Sequence, residues 1–148
     1  MAYLSAPYFW FLTGYDLCWS CRTRTSVHCV GVPAGAQTNP TNSDFNTRWP
    51  STLAYIKNVS AIADSLLAML APCYSYDASK TAKTTYRMNH CEHCGARLGD
   101  HHLHHSGAVF GPLYAEDISV SAYRIPCTLV CHAERHVGAL AKSLGRRF

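Results

Sequence analysis

Two Cys-x-x-Cys pairs, Cys18-Trp19-Ser20-Cys21 and Cys91-Glu92-His93-Cys94, hold the residues of this chain best suited to do chemistry. Zinc takes about four ligands in a tetrahedron, with thiolate sulfurs at roughly 2.3 Å. Two cysteines three positions apart on a tight turn aim both sulfurs at one ion, and N–H groups in the turn soften the thiolate charge. Gly95 follows the second pair and suits the left-handed backbone that such a turn often needs; Arg22 stands at the matching place after the first. The spacing predicts one structural Zn²⁺ on Cys18, Cys21, Cys91 and Cys94. A redox dithiol and unconnected free thiols are the alternative uses of such pairs.

A second group of ligand types follows in Pro126-Cys127-Thr-Leu-Val-Cys131-His132-Ala-Glu134-Arg-His136. On a helix Cys127 and Cys131 share one face, and His132 and His136 another about 100° away. A second ion on Cys127, Cys131, His132 and His136 would need a break near 131, or help from the run His101-His102-Leu103-His104-His105. The bland alternative has the two cysteines as small buried hydrophobes. His132-Ala-Glu134 near Pro126-Cys127 has the pieces of a nucleic-acid deaminase site in the wrong order and spacing. As a zinc-protease helix, the segment has its Glu displaced to the far side of the histidines. The histidine run reads as a hydrated hairpin segment, with metal storage or sensing as the sharper reading.

Cations near the knuckles are Arg22, Arg24, Lys80, Lys83, Arg87 and Arg97. Gathered on one face with Trp19, Tyr74 or Tyr86 they would make a basic, aromatic surface for a partner, single-stranded nucleic acid included. The commoner reading is a solvated face.

The elements that must position these residues follow from patterning. Residues 3–12 are rich in aromatics and read as a β segment or arm packed on the core. Residues 13–16 read as a turn leading to Cys18. Residues 25–32 read as a strand with Val27 and Cys29 on one face and His28, Val30 and Val32 on the other. Pro33, Gly35, Asn39-Pro40, Asn42 and Pro50 mark an exposed loop over 33–50. Ile56, Val59, Ile62, Ala63, Leu66, Leu67 and Leu70 recur at three- and four-residue spacing and predict a helix over about 52–71, ended by Pro72. Residues 96–114 read as a hairpin and 118–125 as a strand. Leu129, Ala133, Val137, Leu140, Ala141 and Leu144 predict a C-terminal amphipathic helix. The expected fold is α+β: a split zinc ribbon of antiparallel strands with an inserted helix and a C-terminal helix. Residues 33–88 form an insertion between the knuckles of one domain spanning 1–148.

At 148 residues the chain fits one modest core. The formal net charge of +4 permits nucleic acid without arguing for it. The apolar stretches 3–12 and 59–71 are too short to span a bilayer, so no membrane contact is expected. Residues 3–12 also lack the flanks of a secretory signal. Eight cysteines could pair as disulfides, but without a leader a reduced, cytoplasmic protein is expected.

The stretch Tyr86-Arg-Met-Asn89-His-Cys91-Glu-His-Cys94-Gly95, continuing to Gly99-Asp100 and Leu103-His104, resembles a set of uncharacterised bacterial zinc-ribbon proteins. Those combine an early Cys-Trp-x-Cys knuckle running into a strand with a later Asn-x-Cys-x-x-Cys-Gly-x-x-x-Gly-Asp segment. The resemblance covers about residues 15–32 and 86–104. It implies the zinc site and no activity. The sequence thus reads as a small structural-zinc binding module for a protein or nucleic-acid partner. The alternative is a metal-dependent or thiol-redox enzyme using the Cys127–His136 group or a Cys-x-x-Cys pair.

Overall fold

The computed structural model describes residues 2–33, 37–39, 53–60, 65–105, 108–110 and 120–136. The fold is α+β, with antiparallel sheets and two short helices. Aromatic-rich β1 (Ala2–Ala6) and β2 (Phe9–Leu17) are followed by β3 (Arg24–Pro33), β4 (Gln37–Asn39) and β5 (Leu53–Ser60). Next come α1 (Ser65–Leu70), the hairpin β6 (Tyr74–Ser79) and β7 (Thr84–His90), short β8 (Arg97–Leu98) and α2 (Asp100–His104). β9 (Ser121–Ile125) and β10 (Leu129–His136) complete the described elements. One sheet has the order β4-β1-β10-β5-β3-β2-β9, and the other β6-β7-β8.

Strand alternation sends side chains of the large sheet into two separate clusters. On one face Leu4, Phe9, Phe11, Val30, Val32, Ile56 and Leu129 pack with Leu67 and Tyr74. On the other, Leu12, Val27 and Cys29 pack with Cys18, Cys91, Leu98, Leu103 and Phe110. The two faces expected for 25–32 are those of β3, and both are covered. Gly14 is buried in β2, where a Cβ would stand 2.6 Å from Val109 Cγ2. The absent side chain is what lets the 108–110 segment close over the sheet.

Several expected elements differ. Over the described part of 52–71 the expected helix is instead strand β5 followed by α1, about one and a half turns long, while Ile62 and Ala63 of the expected stripe lie outside the described residues. The cause is a β-bulge. β10 advances from His132 to Glu134 while β5 advances from Ser60 to Lys57, and Asn58 takes a positive φ of 53°. One extra residue makes Ile56 and Val59, three apart, both point inward, which imitates helical spacing. Asparagine tolerates this left-handed backbone better than most residues.

The C-terminal helix is likewise replaced over 129–136 by β10, which inserts between β1 and β5. Its apolar Leu129 and Cys131 alternate as a strand requires; residues 137–144 lie outside the described residues. Residues 13–16 are not a turn, because β2 runs unbroken to Leu17 in register with Arg24. Over the described part of 96–114 the expected hairpin gives way to β8 and α2, so four of the five residues in the histidine run sit on α2 and His105 caps it; residues 106–107 and 111–114 lie outside the described residues. The expected loop 33–50 holds β4, and its other residues from 40 lie outside the described set.

Candidate metal centre

Each Cys-x-x-Cys pair occupies a turn between two strands, and the turns are built alike. In the first, Cys18 N–H donates to Thr23 O (3.0 Å) and Arg22 N–H to Cys18 O (2.9 Å). In the second, Cys91 N–H donates to Ala96 O (2.9 Å) and Gly95 N–H to Cys91 O (3.0 Å). Ser20 N–H and His93 N–H each point at the first sulfur of their own turn, both at 3.4 Å. The residue after each second cysteine has positive φ, 59° at Arg22 and 77° at Gly95. Arg22 therefore occupies the glycine position of its knuckle.

The four sulfurs converge. All lie within 4.8 Å of one another, with Cys18 Sγ to Cys94 Sγ at 3.6 Å and Cys21 Sγ to Cys91 Sγ at 3.7 Å. Ligands at roughly 2.3 Å from a tetrahedral zinc stand about 3.8 Å apart, so the spacing matches one Zn²⁺. None of the eight cysteines is in a disulfide. Burial works against ionisation at Cys91, but hydrogen bonds from the Cys94 and His93 backbone bring its thiol down to about 6. At Cys94 a backbone hydrogen bond at Ala96 favours the thiolate, but loss of solvent and then the three neighbouring sulfurs outweigh it and push the thiol up to about 11. Thiols this close release protons one at a time, and a divalent cation at the centre removes the mutual repulsion.

The turns are also tied together outside the sulfurs. Trp19 Nε1 donates to Arg97 O at 2.8 Å, joining the first knuckle to the strand after the second. Reciprocally, the Glu92 carboxylate accepts from Ser26 Oγ (2.6 Å) and Ser26 N–H (3.1 Å) on β3, while Glu92 N–H donates to Thr25 Oγ1 (3.1 Å). His93 Nε2 lies 3.1 Å from Arg24 O. The Ser26 contacts hold the Glu92 carboxyl below its ordinary range. Asn89 spans β7 and β3: its Oδ1 accepts from His28 N–H at 2.7 Å and its Nδ2 donates to His28 O at 2.8 Å. The ladder between β3 and β5 starts only at Val30↔Ile56, so this side chain completes the β3 edge where β5 bulges away. Spacing gave no role to Thr25 or Ser26, nor to Glu92 and His93, which stood only as the unspecified middle of the second Cys-x-x-Cys pair; Asn89, two residues before Cys91, was a named position of the resemblance.

The other expected residues are dispersed. Arg87, expected at a partner surface, is instead 2 % exposed: its Nη1 donates to Tyr74 O, and its guanidinium lies 5.0 Å from the Tyr76 ring. Tyr74 and Tyr86 are buried as well, on opposite faces of the β6–β7 hairpin: Tyr74 packs into the first cluster, and Tyr86 Oη accepts from Asp100 N–H. Lys80 and Lys83 are exposed in the β6–β7 turn, about 20 Å of strand away from Cys91. Trp19, Arg22, Arg24 and Arg97 do remain exposed around the knuckles, with Arg24 4.1 Å over the Tyr15 ring. Arg97 is committed to Asp77 at 2.8 Å. In the second ligand group Cys127 is exposed and Cys131 buried, and β10 turns Cys131 and His132 to opposite faces. The side chain of His136 lies outside the described residues. Among the described residues the four knuckle cysteines are the one cluster able to hold a metal, and no helix is long and apolar enough to cross a membrane.

Comparison with protein-family models, curated proteins and solved structures finds no match to this chain.

Proposed function

We propose that this chain is a single-domain structural-zinc module that works by contacting a protein partner in a reducing, cytoplasmic setting. The observation that carries the reading is the convergence of four sulfurs from two turns within 4.8 Å. Four thiolates fill a zinc tetrahedron, which leaves no open position for water or substrate. The ion's role is then to lock the β2–β3 and β7–β8 turns into one rigid body. Support for the compartment is the set of free thiols. The resemblance to bacterial zinc-ribbon proteins belongs with this reading, as does residues 33–88 being an insertion between the knuckles.

What the locked turns offer a partner is apolar. Tyr15, Leu17 and Trp19 are 44 %, 61 % and 60 % exposed on consecutive alternate positions leading through the first knuckle. Large exposed side chains in one place mark contact surfaces. The nearby cations are few, since Arg97 is paired and Arg87 buried, which favours protein over nucleic acid.

Elemental analysis of untagged protein should give about one zinc per chain, and chelation should unfold the knuckle region. Absence of zinc, or an unchanged fold on its removal, overturns the structural reading. Gel-shift titration at low salt with single- and double-stranded DNA and RNA should show no binding; salt-sensitive binding would move the partner to nucleic acid.

A further inference from the structure

A cleft of about 450 Å³ lies away from the sulfurs, between the β6–β7 turn and α2. Its size is that of a small-molecule site. Ser79, Thr81 and Tyr86 bring hydroxyls to it, His101 and His102 imidazoles, and Asn58 sits beside them at the β5 bulge. We infer that this cleft binds a small phosphorylated metabolite through its phosphate group, a site independent of the zinc centre.

The hydroxyls are arranged to donate. Ser79 Oγ already accepts from Ala82 N–H (3.0 Å), and Tyr86 Oη from Asp100 N–H (2.9 Å). Each oxygen has one lone pair engaged by backbone, and the Ser79 and Tyr86 hydroxyls also bond each other, so between them they have one proton to offer a ligand. Burial pushes the Tyr86 phenol up to about 12, so it keeps its proton. Among the described residues no carboxylate lines the cleft. Asp100 is buried, with Oδ2 accepting Asn58 N–H at 2.8 Å. The Asp16 carboxylate reaches His102 Nε2 at 3.1 Å and holds that ring in place. Thr81 and Ala82, which line the cleft, stand in the chain between the exposed Lys80 and Lys83. Hydroxyl and imidazole donors converging on one cleft suit a ligand group with several acceptor oxygens.

The test uses the zinc-loaded full chain, titrated with inorganic phosphate and with glycerol 3-phosphate while proton–nitrogen NMR spectra are recorded. Saturable shifts at Thr81, Ala82, His101 and His102 are expected, with the ester binding tighter than the free ion. The double variant T81V/H101Q changes two exposed side chains and should weaken binding about tenfold or more, with zinc content and melting temperature unchanged. Shifts that fail to saturate below about 10 mM, or equal affinity in the double variant, overturn the site. Saturable binding of the free ion alone, with no gain for the ester, shows an adventitious anion and also overturns it. Zinc content reports separately on the metal centre, so neither failure can be mistaken for the other.

Discussion

The carboxamide of Asn89 is bonded to both backbone groups of His28, 2.7 Å to its N–H and 2.8 Å to its carbonyl, as a neighbouring strand would be. Asn89 is 1 % exposed, so nothing else can serve those groups once it is removed. Asn89→Ala should cost about 2–3 kcal/mol in a denaturant titration of the zinc-loaded protein. Asn89→Asp keeps the acceptor for the His28 N–H but sets a carboxylate against the His28 carbonyl, and should be no better.

Matched left-handed residues close the two knuckles, and they should respond in opposite directions. Gly95→Ala meets no atom within 4 Å, so its cost of about 1 kcal/mol is a backbone cost alone. Arg22→Gly should gain a comparable amount, because φ of 59° is strained for arginine. Melting temperatures of the two variants at equal zinc loading check both.

Removal of a ligand has a different signature. Cys94→Ser should lower zinc stoichiometry and, in hydrogen exchange, expose the amides of Cys91, Gly95 and Arg22 that now close the turns. The opposite-face residues Val32 and Leu4 should stay protected in the same experiment.

Acid should weaken the fold through His28. Burial is the main cause that lowers its pKa to about 4, against an ordinary value of 6.5, with Glu92 pulling weakly the other way. Its ring stacks on Phe11 at 5.0 Å and bonds Thr13 Oγ1 at 2.9 Å. Between those pH values the unfolded chain binds a proton that the folded chain refuses. Stability is therefore full above about 6.5 and falls as pH drops toward 4, by about 3 kcal/mol in total. His28→Gln should flatten that part of the stability–pH curve.

Gly14→Ala places a methyl 2.6 Å from Val109 Cγ2 and should cost about 1–3 kcal/mol. Val109→Ala in the same chain should recover part of the loss, a coupling that a double-mutant cycle measures.

Local features were readable from sequence, and tertiary ones were not. The cysteine turns are local, so the 69 residues between Cys21 and Cys91 did not obscure them. β3 was readable on both faces because it alternates without interruption from Val27 to Val32. β5 was misread because the Asn58 bulge gives Ile56 and Val59 a helical interval. β10 was misread because residues suited to an amphipathic helix are held as a strand by β1 and β5 on its two edges. Arg87 looked like surface because no local pattern reveals that Tyr74 and Tyr76 will receive a guanidinium.

The two knuckles also give the chain an inorganic fastener across its own middle. A protease cut in the stretch separating Cys21 from Cys91 would leave two polypeptides, each holding half of the sulfurs. With the ion in place they would migrate as one particle, and a chelator would remove one of the bonds that keeps them together. For a chain of this plan, integrity of the backbone and integrity of the folded body are separate properties, and the metal decides how far one can be lost without the other.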